Sequence, residues 1–316
     1  MSIDRRLRET GTFKKSHYDT GRPRTIRTPE AEERVLQRFE EDDTLSTRRI
    51  AFAENMPHSL VWRIAREQQL HPYHTTKVQE LLAEDLPKRL QFCNWMSEKV
   101  RVDAMFAKRI LFTDECCFTK NGIFNLRNSH HWNDENPNAT VVRHSQYKIK
   151  INLWAGIIGN KLLGPIELPL NVNGENYLHF LNNDFVEVLE DLDLETRRNM
   201  WLMQDGAPPH YSRQVRRHLN NIFANRWIGR GWDAPQPWPP RSPDLTPLDF
   251  FVWGYAKSKV YEIPIEDEDH LRQRITDTFN EIKTNEEVLN KLPFHFLKRV
   301  RACIRANGDH FQHMLK

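Results

Sequence analysis

Hydrophobic positions first recur with a clear period in "PEAEERVLQRFEEDD", where Val35, Leu36 and Phe39 fall on one face, as a half-buried helix requires. Thr28 can cap that helix, Pro29 suits its first position, and Glu30 suits the positive end of its dipole. Two shorter helical patterns follow within "STRRIAFAENMPHSLVWRIAREQQLHP". Ser46 can cap the first, which turns Ile50 and Ala53 inward. After a break at Asn55-Met56-Pro57, His58 or Ser59 can cap the second, with Val61, Ile64 and Ala65 inward. Three short helices with a tight turn before the last predict a helix-turn-helix over 28–72. Residues 73–108 read as an amphipathic helical connector.

From Arg109 the pattern changes to strands. "RILFTDECCF" opens with a short apolar run, "GIFNLRNSHHW" and "YKIKINLWAGIIG" follow, and Gly159-Asn160 is a hairpin turn into "KLLGPIEL". "NGENYLHFLNNDFVEVLEDL" reads as one amphipathic helix, "NMWLMQD" as a strand, "SRQVRRHLNNIF" as a helix and "RWIG" as a short strand. A Pro-rich loop, "GWDAPQPWPPRSPDLTP", precedes a helix from about Pro247. This order predicts an α/β unit over 109–265, a mixed sheet with flanking helices. Residues 266–316 read as a C-terminal helical segment, and 1–27 as a basic arm without hydrophobic period.

Composition narrows the class. Hydrophobic residues at 39% and charged residues at 28% of 316 describe an ordinary globular protein. No apolar run approaches the roughly 20 residues of a membrane span, and the start lacks the apolar core of a secretory signal. The expectation is an intracellular protein without a membrane partner. Four cysteines, Cys93, Cys116, Cys117 and Cys303, form no CxxC pair and read as reduced thiols. Net charge is only +3, yet the first 28 residues carry eight Arg/Lys against three Asp/Glu. There "GRPR" places Arg22 and Arg24 in a short basic turn able to enter a narrow minor groove. The exposed face of the third helix, Ser59, Trp62, Arg63 and Arg66, is a candidate major-groove reader, with Arg48 and Arg49 on the preceding helix. A solvated basic face on an interaction module is the alternative.

Three aspartates carry the candidate chemistry. Asp114 follows an apolar run in the first strand, Asp205 ends the strand "NMWLMQD", and Asp249 lies in the first turn of the helix after the Pro-rich loop. Ends of adjacent central strands lie close together, and a helix end can pack over them. Three carboxylates converging in a partly dry site would resist ionising together. Mg²⁺ or Mn²⁺, hard cations with oxygen ligands, would relieve that conflict, and a pair of such ions suits phosphodiester chemistry. Taken singly, each acid is more simply a turn former or helix cap, as Asp244 is in "SPDL". His130-His131, adjacent on a strand, point to opposite faces and make a poor ligand pair. Trp132, Trp154 and Trp238 read as packing. Arg213, Arg216, Arg217 and Arg241 are candidate phosphate contacts.

"TDE" at 113–115, "QDGAPPH" at 204–210 and "WPPRSPDLTPLDFFVWG" at 238–254, with 90 residues between the first two acids, together resemble the Tc1/mariner transposases of the DDE superfamily. The resemblance covers roughly residues 20–265. It implies an RNase H-like catalytic domain that cleaves phosphodiesters at transposon ends and joins the 3′-hydroxyl to target DNA. Asp114, Asp205 and Asp249 match the family's metal-binding acids, with Asp249 rather than Asp244 as the third, in a DDD variant. It implies Mg²⁺ or Mn²⁺, two ions, and no organic cofactor. Duplex DNA, a homodimer on paired ends, and the nucleus are implied likewise. "GRPR" and the helix-turn-helix are similar to the family's linker and second DNA-binding subdomain.

The sequence departs from the pattern twice. The second and third acids are separated by 43 residues, more than in well-known relatives, and the excess fits "GRGWDAPQPWPP". Only about 20 residues precede Gly21, and "RRLRETGTF" resembles just the last part of a first helix-turn-helix, so most of that unit is expected to be missing. Two other functions stay open: a transposon-derived DNA-binding protein without catalytic activity, and a nuclease of the same fold acting on RNA–DNA hybrids.

Overall fold

Capping and periodicity act first in the small N-terminal unit. The computed structural model describes residues 7–8, 11, 26–73, 78–120, 122 and 149–315, and the chain divides into Met1–Lys77 and Val78–Lys316. In the first unit α1 (Pro29–Glu41) starts where Thr28 accepts a hydrogen bond from the Ala31 amide, and α2 (Thr47–Ala53) where Ser46 accepts from Arg49. α3 (His58–Glu67) differs from the sequence reading, since Pro57 stands at its cap without a side-chain bond. The His58 ring is instead 2.8 Å from Thr47 Oγ1, so it ties α3 to α2 rather than capping its own helix. Ala31, Val35, Ile50, Ala51, Met56, Val61 and Ile64 form the core of this unit. Glu54 accepts from Arg34 at 2.9 Å and Arg38 at 3.0 Å, holding α1 against the end of α2.

The second unit is built on a six-stranded sheet. Its strands are β1 (Ile110–Thr119), β2 (Lys150–Ile158), β3 (Lys161–Leu168), β4 (Trp201–Met203), β5 (Trp227–Gly229) and β6 (Gln236–Pro237), in the order β3-β2-β1-β4-β5-β6. β1, β2 and β3 are antiparallel, whereas β4 joins β1 and β5 joins β4 in parallel. This is the expected mixed sheet with flanking helices, and the two-residue β6 is an edge strand that the sequence pattern did not show. The strand read in "GIFNLRNSHHW" lies, apart from Gly122, outside the described residues, as do His130, His131, Trp132, Arg22 and Arg24.

Alternation along β1 and β2 divides the core between the two sheet faces. Ile110, Phe112, Leu153 and Ile157 pack with α4 (Asp85–Val102), α9 (Trp253–Val260), α10 (Glu268–Thr284) and α11 (Glu286–Arg305). Leu111, Trp154 and Ile158 pack on the other side with α5 (Gly174–Asn182), α6 (Asp184–Leu189) and α8 (Arg213–Ile222), while α7 (Leu194–Asn199) leads into β4. The helix read as continuous over the 170s and 180s breaks at Asn183, whose side chain donates to the His179 carbonyl at 2.7 Å. The connector is helical only from Asp85 onward, the segment 78–82 being extended or irregular. α4 and the C-terminal helices share one core with the sheet; Phe92, Phe296 and Phe311 are all fully buried. Cys93, Cys116 and Cys303 are buried free thiols and Cys117 an exposed one.

The loop before α9 is held from beneath. Arg89 of α4, wholly buried, donates to both Asp244 carboxylate oxygens at 2.8 and 2.7 Å, to Ser242 Oγ at 2.8 Å and to the Gly308 carbonyl at 2.7 Å. Arg241, with φ at +53°, pairs with buried Asp85 at 2.6 Å. "RSPD" is thus clamped onto α4 by two ion pairs, and Asp244 is a structural acid.

Candidate active site

Register delivers the first two aspartates to the same place. β1 and β4 pair in parallel with Ile110 beside Trp201, Leu111 beside Leu202 and Phe112 beside Met203. Two rungs further on, the same offset sets Asp114 beside Asp205. Thr113 Oγ1 donates to the Met203 carbonyl at 2.7 Å, which stitches the strands together just below the acids. β4 ends at Met203, so Asp205 lies two residues past the strand rather than ending it, and "GAPPH" then turns the chain away. Asp249 arrives from the clamped loop, in a π-helical turn (Leu248–Val252) that runs into α9. It therefore lies in a wider turn than the regular first helical turn expected. Asp114, Glu115, Asp205, Trp238, Arg241 and Asp249 line one open cleft of about 510 Å³.

The carboxylates are not equivalent. Burial pushes Asp114 well above the ordinary carboxylate range, and the charges of Asp249, Glu115 and Asp205 push it the same way. The Trp253 indole opposes them, donating its Nε1–H to Asp114 Oδ2 at 2.7 Å. Asp249 rises to about 6, first through the surrounding protein and then through the charge of Asp205, with Lys257 pulling it back. Burial also works against ionised Asp205, but its hydrogen bond to His210 and that from the Ala207 amide leave it below its ordinary value. His210 Nδ1 is 2.6 Å from Asp205 Oδ1 and its Nε2 3.2 Å from Glu115 Oε1. Desolvation disfavours its cation, yet the two carboxylates raise it to about 10. Both ring nitrogens then donate, and the ring lies 4.3 Å from that of Tyr177.

Among the described residues, no three acidic, histidine or cysteine side chains are gathered tightly enough to form a ready-made metal nest. The donor set nevertheless suits a hard cation, because oxygen ligands predominate and burial, followed by neighbouring carboxylates, raises two of the carboxyls above their ordinary range. Sequence reasoning left His210 without a role and passed over Glu115 and Trp253; "TDE", "PPH" and "VWG" each contained one of them. Arg241 is not free for phosphate, being paired with Asp85. Arg216 is paired with Asp233 at 2.6 Å, whereas Arg213 and Arg217 are exposed. Trp154 and Trp238 are buried packing residues, as read. In the N-terminal unit Arg48, Arg49, Ser59, Trp62, Arg63 and Arg66 are all exposed, and the Arg66 guanidinium lies 5.1 Å from the Trp62 ring centre.

No protein-family model matches the chain. The human histone-lysine N-methyltransferase SETMAR is 24% identical over 295 residues, an alignment covering 86% of this chain and 38% of that protein. The chain thus spans well under half the length of that relative. Among solved structures, the mariner Mos1 paired-end complex with Mg is similar at a TM-score of 0.73 and 18% identity, over 98% of this chain and 87% of that one. The Mos1 transposase paired-end complex with left transposon end gives 0.70 and 18% over the same shares. The Mos1 catalytic domain alone gives 0.56 and 17%, over 75% of this chain and all of that one. The resemblance carried by the three motifs is matched in architecture: the chain is similar in fold to the mariner Mos1 transposase structures, and its larger unit has the RNase H-like fold of the Mos1 catalytic domain.

Proposed function

We propose that this protein is a metal-dependent DNA transposase and endonuclease, cutting phosphodiesters at transposon ends and joining the freed 3′-hydroxyl to target DNA. The observation that carries the proposal is the convergence of Asp114, Asp205 and Asp249 on one cleft, two of them with carboxyls held above their ordinary range. These three would hold Mg²⁺ or Mn²⁺, in line with the Mg complex among the similar structures. Such ions, when bound, lower the pKa of an attacking water or 3′-hydroxyl and stabilise the leaving oxygen.

The chain's own residues prepare that site. Asp114 presents its oxygens from within β1, Asp205 from just past the end of the adjacent β4, and Asp249 from the π-helical turn. Trp253 fixes one oxygen of Asp114, and His210, bridged to Glu115, fixes one oxygen of Asp205. Arg48, Arg49, Ser59, Trp62, Arg63 and Arg66 would face DNA, with Arg22 and Arg24 in the arm before them. A dimer on paired DNA ends and action in the nucleus follow from the same reading.

The test is nicking of supercoiled plasmid with Mg²⁺ or Mn²⁺ by the parent and by Asp205→Asn, with thermal unfolding as the fold control. Nicking by the parent alone supports the proposal, and equal nicking by both overturns the site. Salt-dependent DNA binding with no nicking by either protein would leave a DNA-binding protein without catalysis.

A further inference from the structure

The stretch that lengthens the interval between Asp205 and Asp249 has a defined shape and an unexplained side chain. β5 runs parallel to β4 with Met203 beside Ile228, so Arg230 emerges next to Asp205. Its guanidinium donates to the Gly206 carbonyl at 3.1 Å and lies 4.8 Å from the centre of the Tyr211 ring. Arg216 lies 4.5 Å from the same ring, donates to the Tyr211 carbonyl at 3.1 Å and pairs with Asp233. Gly231, at φ +123°, allows the turn; a Cβ there would sit 2.8 Å from Asp233 Oδ1 and 3.1 Å from the Tyr211 ring. Between these braced residues stands Trp232, 89% exposed.

Isolated exposed apolar residues are ordinary on protein surfaces. This one differs in its place. It is two residues from an exposed arginine that touches the Asp205 turn, on a loop tied at its two ends by the Arg230–Tyr211 cation–π contact and the Arg216–Asp233 ion pair. A solvent-facing ring two residues from a guanidinium offers the two groups by which single-stranded nucleic acid is gripped, a face on which a base stacks and a cation that takes the phosphate.

Resting on the DNA reading above, we infer that the loop Arg230–Asp233 is a second DNA contact, in which Trp232 stacks on an unpaired base flanking the scissile phosphate and Arg230 takes an adjoining phosphate. The tenancy of the loop is tested by fluorescence anisotropy with the full chain and two probes, a blunt duplex and the same duplex with a single-stranded flank. Trp232→Ala is expected to weaken binding of the flanked probe by about 5- to 100-fold, to change blunt-duplex binding little, and to leave thermal stability unaltered. Trp232→Phe is expected to restore most of the affinity, and Arg230→Ala to weaken both probes. Flanked-probe binding by Trp232→Ala equal to the parent's overturns the inference, and leaves the three-aspartate reading standing if plasmid nicking still depends on Asp205. A parent that binds neither probe overturns both.

Discussion

Arg89 offers a measurement in which the size of the effect can be worked out beforehand. Its guanidinium is fully buried and makes two bonds to Asp244, one to Ser242 and one to the Gly308 carbonyl. Arg89→Met keeps much of the volume but leaves the Asp244 carboxylate, only 9% exposed, without its cation. What remains is Gln312 Nε2 at 3.4 Å from Asp244 Oδ2 and the Arg299 guanidinium on the Asp244 backbone carbonyl at 3.2 Å. Removing one partner of a buried pair costs about 3–5 kcal/mol. For a unit of this size that corresponds to a fall in Tm of roughly 6–20 °C. Arg89→Met combined with Asp244→Asn removes both charges and is expected to lose clearly less than the single variant, because no lone buried charge remains. Chemical denaturation of the four proteins closes the cycle. A loss below about 1 kcal/mol in Arg89→Met, or a double variant as unstable as the single one, would refute the clamp.

Three further predictions concern other positions. Gly308→Ala puts a Cβ 2.2 Å from the Leu86 carbonyl oxygen at a φ of +86°; a loss of at least about 2 kcal/mol is expected on denaturation, and an unchanged midpoint would contradict the close approach. Glu54 is held below its ordinary carboxyl range, chiefly by its hydrogen bonds to Arg34 and Arg38. Its contribution is therefore complete above the unfolded-state pKa and lost as pH falls through the lower folded value, so Glu54→Gln is expected to destabilise the N-terminal unit at pH 7 and to matter less near pH 3; equal effects at both would count against it. Trp253→Phe removes the donor to Asp114 and is expected to cut divalent-ion affinity by about 10–100-fold, with calorimetric Mn²⁺ titration as the readout and an unaltered affinity as the contrary result.

Local chemistry made parts of this architecture legible in the sequence. Thr28 and Ser46 cap as their positions suggest, Gly159-Asn160 turns the hairpin, and the apolar run before Asp114 is the central strand. What escaped was set by partners distant along the chain. His210 acquires its role from Glu115, 95 residues away, and Asp244 becomes structural through Arg89, 155 residues away. Arg241 looked free for phosphate because its partner, Asp85, lies in a helix read as a mere connector. Asn183 broke a helix whose apolar period continues past it, since a side chain competing for a backbone carbonyl leaves no mark on hydrophobic spacing.

The dependence of the clamp on Gly308 sets an order of events during synthesis. A nascent chain that has emerged through Asp249 already carries all three acids, yet the guanidinium that seats Asp244 still lacks the carbonyl of Gly308, and the apolar face of α4 still lacks α11. The cleft is then finished only when α11 and Gly308 have been added, so the second unit is expected to complete its fold well after all three acids have been synthesised. Until that moment the exposed faces of α4 and the sheet are a liability for aggregation.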